Sequence, residues 1–332
     1  MANSIETKTS TSATMRRATL IGRLALYSLT VFMISCLFVL VVSCLWLLFP
    51  LSEPLWLLRL HRLLVAVTLS SGFAFFIVLF IIHRLFIPRQ DFSFRPLTNA
   101  KVHVGLTAYN DELCIGDAVQ AFKSCPYVDK VIVVENNSKD NTYQIALESG
   151  ADRVVTEQIP GYGSCCMRAL EESAIGLGDD DVIVLCEGDM TFSADDVKKF
   201  LAYLDNCDLV LGTRATQELR AAKTQMDWLI NPANQIVAKM IQVRFWGVRL
   251  TDVGCTYRAM RVGSYHCLKK HLWVRGNHFS PHMYIELLKL RMRLIEIPVV
   301  FQIRAGESKG VGSNKIKAAR VAIRMLGLLY NT

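Results

Sequence analysis

Paired cysteine motifs are missing from this sequence, although it contains ten cysteines in 332 residues. No two of them have the CxxC spacing, which excludes the common zinc motifs. The adjacent Cys165 and Cys166 and the other, scattered cysteines are expected to stay reduced and to pack as small apolar residues. Motifs that read RNA or DNA are also lacking. We therefore do not assign the net charge of +8 to nucleic-acid binding.

Charged residues are absent from two long stretches near the start of the chain, residues 24–49 and 63–82. Each reaches the roughly 20 residues needed to cross a bilayer, and each is longer than the apolar run of about 7–15 residues in a signal peptide. We therefore expect a transmembrane helical hairpin within residues 20–87. It would follow a basic tail at residues 1–19 and precede a polar, proline-marked linker at residues 88–101.

Basic residues flank both ends of this hairpin, and such residues tend to stay on the cytoplasmic side. They precede the first span at Lys8, Arg16, Arg17 and Arg23 and follow the second at Arg84, Arg89, Arg95 and Lys101. Arg59 and Arg62 in the short connection weaken this contrast without reversing it. We expect an integral protein of the plasma membrane or endoplasmic reticulum, with both ends in the cytoplasm. Its positive charge suits anionic headgroups or phosphorylated substrates.

After the linker, short apolar runs alternate with helical patterns. Strands are predicted at residues 102–109, 128–136, 152–157, 181–189 and 207–214. Helices are predicted at residues 112–124, at 140–150, around 167–175 and after Ser193. Asn110 is the predicted cap of the first helix. Ser193 is the predicted cap of the last one, with Asp196 reaching back to it. Near-continuous apolar strands separated by helices indicate an α/β domain with a mostly parallel sheet covered on both faces.

Polar residues follow four of these strands at their carboxyl ends, where parallel sheets bind ligands. They are residues 109–112 (YNDE), 135–138 (ENNS), 187–189 (EGD) and 212–214 (GTR). One such end could be a solvated turn, since Gly and Asp are common turn residues. Four ends on one edge of the sheet favour a binding site.

Seven motifs of the chain, in order, resemble those of the inverting glycosyltransferases of family 2, most closely the dolichol-phosphate mannose or glucose synthase type. They are GLTAYNDE, VIVVENNSKDNT, GYGSCCMRAL, LCEGDMTF, LGTR, DVGCTYRAMR and IEIPVVFQIRAGESK. The resemblance covers residues 102–310 and implies the nucleotide-sugar-binding GT-A fold. There are departures: Glu187 replaces the first Asp of the family's DxD element, Glu135 replaces the first Asp of DDGS, and Tyr162 stands where the GKG lysine belongs.

The donor side of the site follows from that resemblance. A nucleotide-sugar carries two phosphates, whose charge a hard divalent ion with oxygen ligands can hold. Asp189 is expected to bind Mg²⁺ or Mn²⁺, with Glu187 helping directly or through the ribose. Tyr109, Asp111 or Glu112, and Glu135 are expected to face the base and ribose. For Asp111 and Glu112, an ordinary helix start is the alternative interpretation.

On the acceptor side, the family positions are Arg214, Arg304, Ser308 and Lys309. A sugar hydroxyl acceptor would require a positioned base, whereas a lipid phosphate is already an anion and requires cations, and guanidinium binds phosphate oxygens in pairs. Solvated surface charge is the alternative for these residues. Asp252 matches a family acid near the sugar, and a structural turn carboxylate is the other interpretation.

The expected function is transfer of a hexose from a nucleotide-sugar to polyprenyl or dolichyl phosphate. A processive polysaccharide synthase is one alternative, but its QxxRW motif is represented only by the differently spaced residues 242–246 (QVRFW). A non-catalytic relative that binds lipid or protein is another, suggested by the departures from the motifs. Residues 311–332 place Ile316, Ala319, Ile323 and Leu326 at helical spacing between cations, which predicts an amphipathic helix at the membrane surface or packed on the domain.

Overall fold

The two uncharged stretches lie in two long helices, α1 (Ala2–Leu48) and α2 (Leu55–Leu85). The computed structural model describes residues 2–48, 55–85, 93–222, 224, 230–245, 248–304 and 315–331. By length and composition, Leu20–Leu45 and Leu58–Phe80 could cross a membrane, each with a mean hydropathy of 2.5. The ring of Phe32 lies so close to Gly72 that an added Cβ would meet it at 3.0 Å. The two helices therefore pack side by side, and α1 continues as a helix through the expected basic tail.

The chain divides into two units, Met1–Gln90 with Gln242–Gly247, and Asp91–Ile241 with Val248–Thr332. The second unit contains a seven-stranded sheet. Its strands are β1 (Val102–Ala108), β2 (Lys130–Glu135), β3 (Arg153–Thr156), β4 (Val182–Glu187), β5 (Leu209–Thr213), β6 (Arg258–Arg261) and β7 (Leu294–Pro298). The helices that follow α2 are α3 (Ile115–Lys123), α4 (Thr142–Glu148), α5 (Tyr162–Ser173), α6 (Val197–Leu204), α7 (Ile230–Phe245), α8 (Val262–Leu268), α9 (Phe279–Lys289) and α10 (Lys315–Tyr330).

The sheet is mostly parallel, as expected, in the order β3-β2-β1-β4-β6-β5-β7. Only β6 runs antiparallel to its neighbours β4 and β5 among the strands described. The central strands β1 and β4 are buried along almost their whole length, which explains why their sequences read as continuous apolar runs. Short crossovers through helices return the chain each time to the same edge, so β1, β2 and β4 end together.

Of the two expected helix caps, Asn110 is wrong, whereas Ser193 is confirmed without the supporting contact from Asp196. Helix α3 begins at Ile115, with Cys114 at the N-cap position, because Asn110 adopts a left-handed φ of 51° and its side chain accepts a hydrogen bond from the Lys139 N–H instead. Ser193 does cap the short 3₁₀ turn Ala194–Asp196 by accepting from Asp195. The Asp196 carboxylate does not reach back, because it accepts from the Val300 N–H at 2.7 Å.

Helix α10 presents two different faces. Met325, Leu328 and Leu329 are buried, and α10 packs on α9. Ile323, from the expected apolar stripe, is 67% exposed. The helix is therefore anchored by one face, while at least part of the expected stripe points away from the protein core.

Candidate active site

The carboxyl ends of β1, β2 and β4 meet at one edge of the sheet. Parallel pairing places Thr107 beside Glu187 and Ala108 beside Glu135. The polar segments that follow these strands therefore lie next to one another, as the sequence predicts. Asp111, Glu135 and Asp189 are all nearly fully buried there, and buried carboxylates require hydrogen bonds or opposite charges.

Arg304 supplies the opposite charge to two of these carboxylates. Its Nη2 donates to Asp111 Oδ1 at 2.6 Å, and its Nη1 lies 3.1 Å from Asp189 Oδ2. Burial opposes the guanidinium charge, but the Asp189 and Asp111 carboxylates outweigh it and raise the pKa of Arg304. Three residues far apart in the sequence thus form one ionic cluster, which we call the Arg304 bridge.

The local backbone fixes the orientation of Asp189. Met190 adopts a left-handed φ of 62°, which turns the chain so that the Thr191 N–H and hydroxyl both donate to Asp189 Oδ1, at 3.1 and 2.6 Å. Oδ1 is therefore fully engaged, and Oδ2 faces Arg304. The sequence pattern did not indicate this role of Thr191.

Glu187 ends β4 beside Asp189 and is partly exposed. Desolvation by the surrounding protein, followed by repulsion from Asp189, raises the pKa of Glu187 above its ordinary value. No group of three or more His, Cys, Asp or Glu side chains in the described part of the chain could hold a metal ion by itself. Mg²⁺, however, is commonly bound by one or two carboxylates together with substrate phosphates. Asp189 and Glu187 fit that kind of site.

Asp111 and Glu112 connect the end of β1 to the start of α4. The Asp111 N–H donates to Thr142 Oγ1 at 2.7 Å, and Asp111 Oδ2 accepts from the Tyr109 N–H at 2.9 Å. The Glu112 carboxylate accepts from the Asn141 N–H at 3.1 Å. Both acids therefore stabilise the loop, and the Tyr109 ring beside them is exposed.

The end of β2 is tied to the loop before α5. Glu135 Oε2 accepts from the Ser138 N–H at 2.6 Å. Asn136 donates to the carbonyls of Glu157 and Ile159 and accepts from the Gly161 N–H. No individual role was predicted for Asn136, although an amide at a strand end is suited to joining two loops because it both donates and accepts.

The GYG loop is packed tightly where the family motif has GKG. Added Cβ atoms at Gly161 and Gly163 would lie 2.3 and 2.2 Å from the carbonyl oxygens of Arg275 and Val274, so neither position has room for a side chain. Tyr162, in the lysine position, has a buried hydroxyl, and burial raises its pKa strongly. This position therefore provides no cation.

Arg214 and Asp252 form a second ionic contact, the Arg214 pair. Arg214 Nε and Nη2 donate to the two carboxylate oxygens of Asp252 at 2.7 and 2.9 Å. The N–H groups of Arg214 and Gly254 and the amide of Asn234 also donate to Asp252. Burial disfavours the carboxylate charge, but Arg214 and these hydrogen bonds outweigh burial and lower the pKa of Asp252.

Glu296 in β7 positions the segment that carries Asp252. Its Oε1 accepts from the N–H groups of Thr251 and Asp252, both at 2.9 Å, and its Oε2 accepts from the Thr251 hydroxyl. Glu296 belongs to a recognised motif, but no role was predicted for it. Two other expected acceptor residues, Ser308 and Lys309, lie outside the described residues.

Comparison with known proteins identifies the family. The model of glycosyl transferase family 2 matches residues 104–269, the part of the chain that contains β1–β6 and the carboxylate edge. The chain belongs to glycosyl transferase family 2. A dolichyl-phosphate hexose transferase from Haloferax volcanii is 27% identical over 207 residues, covering 62% of this chain and 85% of that protein. Glycosyltransferase AglJ from the same organism is 24% identical, covering 59% of this chain and 61% of that protein.

Solved structures support the GT-A-like architecture of this family 2 member. Glucosyl-3-phosphoglycerate synthase from Mycobacterium tuberculosis, in complex with Mn²⁺, UDP and phosphoglyceric acid, superimposes with a TM-score of 0.53. It is 17% identical, and the match covers 70% of this chain and 79% of that chain. At this identity the likeness shows the fold. Family membership makes the chain a glycosyltransferase that uses a nucleotide-sugar.

Proposed function

We propose that this glycosyltransferase moves a hexose, with inversion, from a nucleotide-sugar to dolichyl or another polyprenyl phosphate on the cytoplasmic face of a membrane. The hydrogen bonds and the lowered pKa of Asp252 are the main support for the choice of acceptor. This residue is the family acid expected near the sugar, yet it accepts five hydrogen bonds and has a lowered pKa. A carboxylate so stabilised is a weak base, which disfavours a neutral hydroxyl acceptor and suits one that is already ionised.

On the donor side, Asp189 and Glu187 would hold Mg²⁺ or Mn²⁺, which would neutralise the diphosphate as it leaves. Tyr109, Asp111, Glu112 and Glu135 would line the nucleotide. Since Glu112 and Glu135 already bind backbone N–H groups, their part would be to fix the shape of the nucleotide loops as well as to contact the ligand.

On the acceptor side, cations would orient the lipid phosphate toward the sugar. Arg304, Ser308 and Lys309 are proposed to bind it. Arg214 is committed to Asp252 through two of its nitrogens, so it would contribute charge at longer range. One phosphate oxygen would attack the sugar carbon from the face opposite the departing diphosphate, and no proton would need to be removed.

The membrane part of the proposal rests on surface chemistry and on the relative from Haloferax volcanii. The two candidate spans leave apolar side chains such as Leu37 and Phe73 more than 60% exposed, and such surfaces are stable in lipid. The basic residues that flank the spans would keep the catalytic unit in the cytoplasm. A long isoprenoid tail stays in the bilayer, so this arrangement would bring acceptor and enzyme together.

Helix α10 offers a separate test of membrane contact. We expect residues 89–332, without the hairpin, to co-sediment with anionic liposomes because Ile323 is exposed between basic residues. Ile323→Asp combined with Leu326→Asp should reduce binding about tenfold or more, since both charges would enter the interface. Ala322→Asp is the matched control. Equal binding of all three proteins would contradict an interfacial α10.

The proposed reaction can be tested with purified full-length protein in detergent. A panel of labelled nucleotide-sugars is incubated with Mn²⁺ and either a polyprenyl phosphate or the corresponding polyprenol. We expect a charged glycolipid with the phosphate only. Product from the polyprenol would contradict the acceptor proposal, a long polymer would indicate a processive synthase, and absence of turnover with every donor would favour a non-catalytic relative.

A further inference from the structure

Arg304 occupies the place of a cation in the donor part of the site. Its guanidinium lies between Asp111, at 2.6 Å, and Asp189, at 3.1 Å. The proposed function gives these partners other tasks, because Asp189 should hold a metal ion and Arg304 should bind the acceptor phosphate. While Arg304 bridges the two carboxylates, Asp189 cannot hold a metal ion and Arg304 cannot bind the acceptor phosphate.

The geometry of Asp189 leaves one oxygen to be shared. Oδ1 already accepts two hydrogen bonds from Thr191. A divalent ion would therefore approach Oδ2, where Arg304 Nη1 now lies. Mg²⁺ binds carboxylate oxygens at about 2.0–2.1 Å, so the ion and the guanidinium would be neighbouring like charges on one oxygen. Repulsion at such a distance is strong in a buried site.

We propose that Arg304 is an exchangeable bridge, which leaves Asp189 when a divalent ion and a nucleotide diphosphate bind and then becomes free to bind the acceptor phosphate. This inference rests on the proposed function and adds an order to it. Before the donor binds, an acceptor phosphate must compete with two carboxylates for Arg304. After the donor binds, the metal ion occupies Asp189 and only Asp111 still competes, so donor binding should precede productive acceptor binding.

The Arg214 pair provides an internal control. Arg214 is as enclosed as Arg304, with side-chain exposures of 14% and 15%. Its partner Asp252 lies outside the proposed metal ligands and holds it through two nitrogens. A general change in accessibility would affect both arginines, whereas displacement by a metal ion would affect Arg304 alone.

The test is site-resolved modification of arginine by phenylglyoxal in purified full-length protein, read by peptide mass spectrometry. The samples contain EDTA, Mn²⁺ alone, Mn²⁺ with UDP, or Mn²⁺ with UDP and a short-chain polyprenyl phosphate. We expect Mn²⁺ with UDP to increase the rate at Arg304 about tenfold, the change produced by losing one charge-assisted contact. The lipid phosphate should reverse the increase, and Arg214 should react equally in all samples. An unchanged or lower rate at Arg304 with Mn²⁺ and UDP would overturn the inference.

Mn²⁺ binding, measured by electron paramagnetic resonance on the same preparations, separates the two possible failures. Arg304→Gln should bind Mn²⁺ about tenfold more tightly than the parent because the competing cation is gone, and the charge-matched Arg304→Lys should lie between them. If Mn²⁺ binds but Arg304 stays unreactive, the exchange is wrong and the metal site stands. If neither the parent nor Arg304→Gln binds Mn²⁺ with UDP, the proposed metal site is wrong, and the exchange with it.

Discussion

The Arg304 bridge and the Arg214 pair are similar in exposure and opposite in construction. Arg304 divides its nitrogens between carboxylates from two loops, whereas Arg214 directs two nitrogens to one carboxylate that accepts three further hydrogen bonds. A charge held by many fixed donors is costly to disturb, while one shared between loops can be exchanged. The comparison suggests that the first contact serves binding and the second serves the scaffold.

Asp189→Asn should show the largest difference between the Arg304 bridge and the Arg214 pair, because it should affect turnover far more than stability. We expect transfer to fall roughly 10³-fold, the scale of losing one key electrostatic group. The melting temperature should change less than in Asp252→Asn, because Arg304 keeps its contact with Asp111 and an amide oxygen can still accept from Thr191. Turnover with Mn²⁺ and thermal unfolding measure the two effects. Asp195→Asn, at an exposed position nearby, is the control. Near-normal turnover of Asp189→Asn would remove Asp189 from the metal site.

Asp252→Asn should instead act on stability. Removing one partner of a buried ion pair costs about 3–5 kcal/mol, because Arg214 would remain buried with its charge uncompensated. Thermal unfolding of the variant and its parent would show this loss. Adding Arg214→Gln should recover part of it. A stability close to that of the parent would mean that the Arg214 pair does not serve the scaffold.

Arg304→Lys should change the use of the acceptor. Lysine keeps the charge but loses the paired donors, so we expect the KM for polyprenyl phosphate to rise about tenfold, equivalent to about 1.4 kcal/mol, with a smaller change for the donor. Steady-state kinetics that vary each substrate separately would measure both constants. Arg214→Lys is the matched substitution and should mainly lower the melting temperature. A raised donor KM with an unchanged acceptor KM would assign Arg304 to the other substrate.

The pH dependence of stability should distinguish the contacts least strongly. Arg214 and several N–H donors outweigh burial and lower the pKa of Asp252 below its ordinary value of 3.8. A group whose pKa is lower in the folded state stabilises fully above its unfolded pKa and loses that effect as the pH falls. The difference in melting temperature between the parent and Asp252→Asn should therefore be constant near neutrality and shrink below about pH 4. A difference that grew on acidification would contradict this assignment.

The parallel core could be predicted because its signals are local. Strand β4 and its terminal acids are contiguous in the sequence, and buried strands read as apolar runs. Strand β6 was not predicted as a strand, because it has only four residues, two of them arginines. The Asn110 cap was wrong for a related reason. Asn110 has a left-handed backbone, and its side chain binds a partner 29 residues away. Neither feature leaves a periodic signal in the sequence.

The composition of the candidate site was predictable, but its pairings were not. Motif positions indicated Asp111, Asp189 and Arg304 separately, and the general chemistry of each followed from its residue type. Arg304 and Asp111 are 193 residues apart, so only the folded sheet edge shows that they meet. The hydrogen bonds of Thr191 and Asn136 depend on backbone direction, which residue type alone does not give.

The hydrogen bonds of Glu296 have a consequence for the order in which a newly made chain can assemble. Strands β1 to β4, with Asp111 and Asp189, are complete by residue 189 of the growing polypeptide. The Asp252 segment, in contrast, relies on a carboxylate 44 residues further along, in a strand that pairs with β5. Until the ribosome has delivered β7, two backbone N–H groups of that segment lack their native acceptor. Strands β1 to β4 can therefore pair during translation, whereas the Asp252 segment and the Arg304 bridge must both wait for the last quarter of the chain.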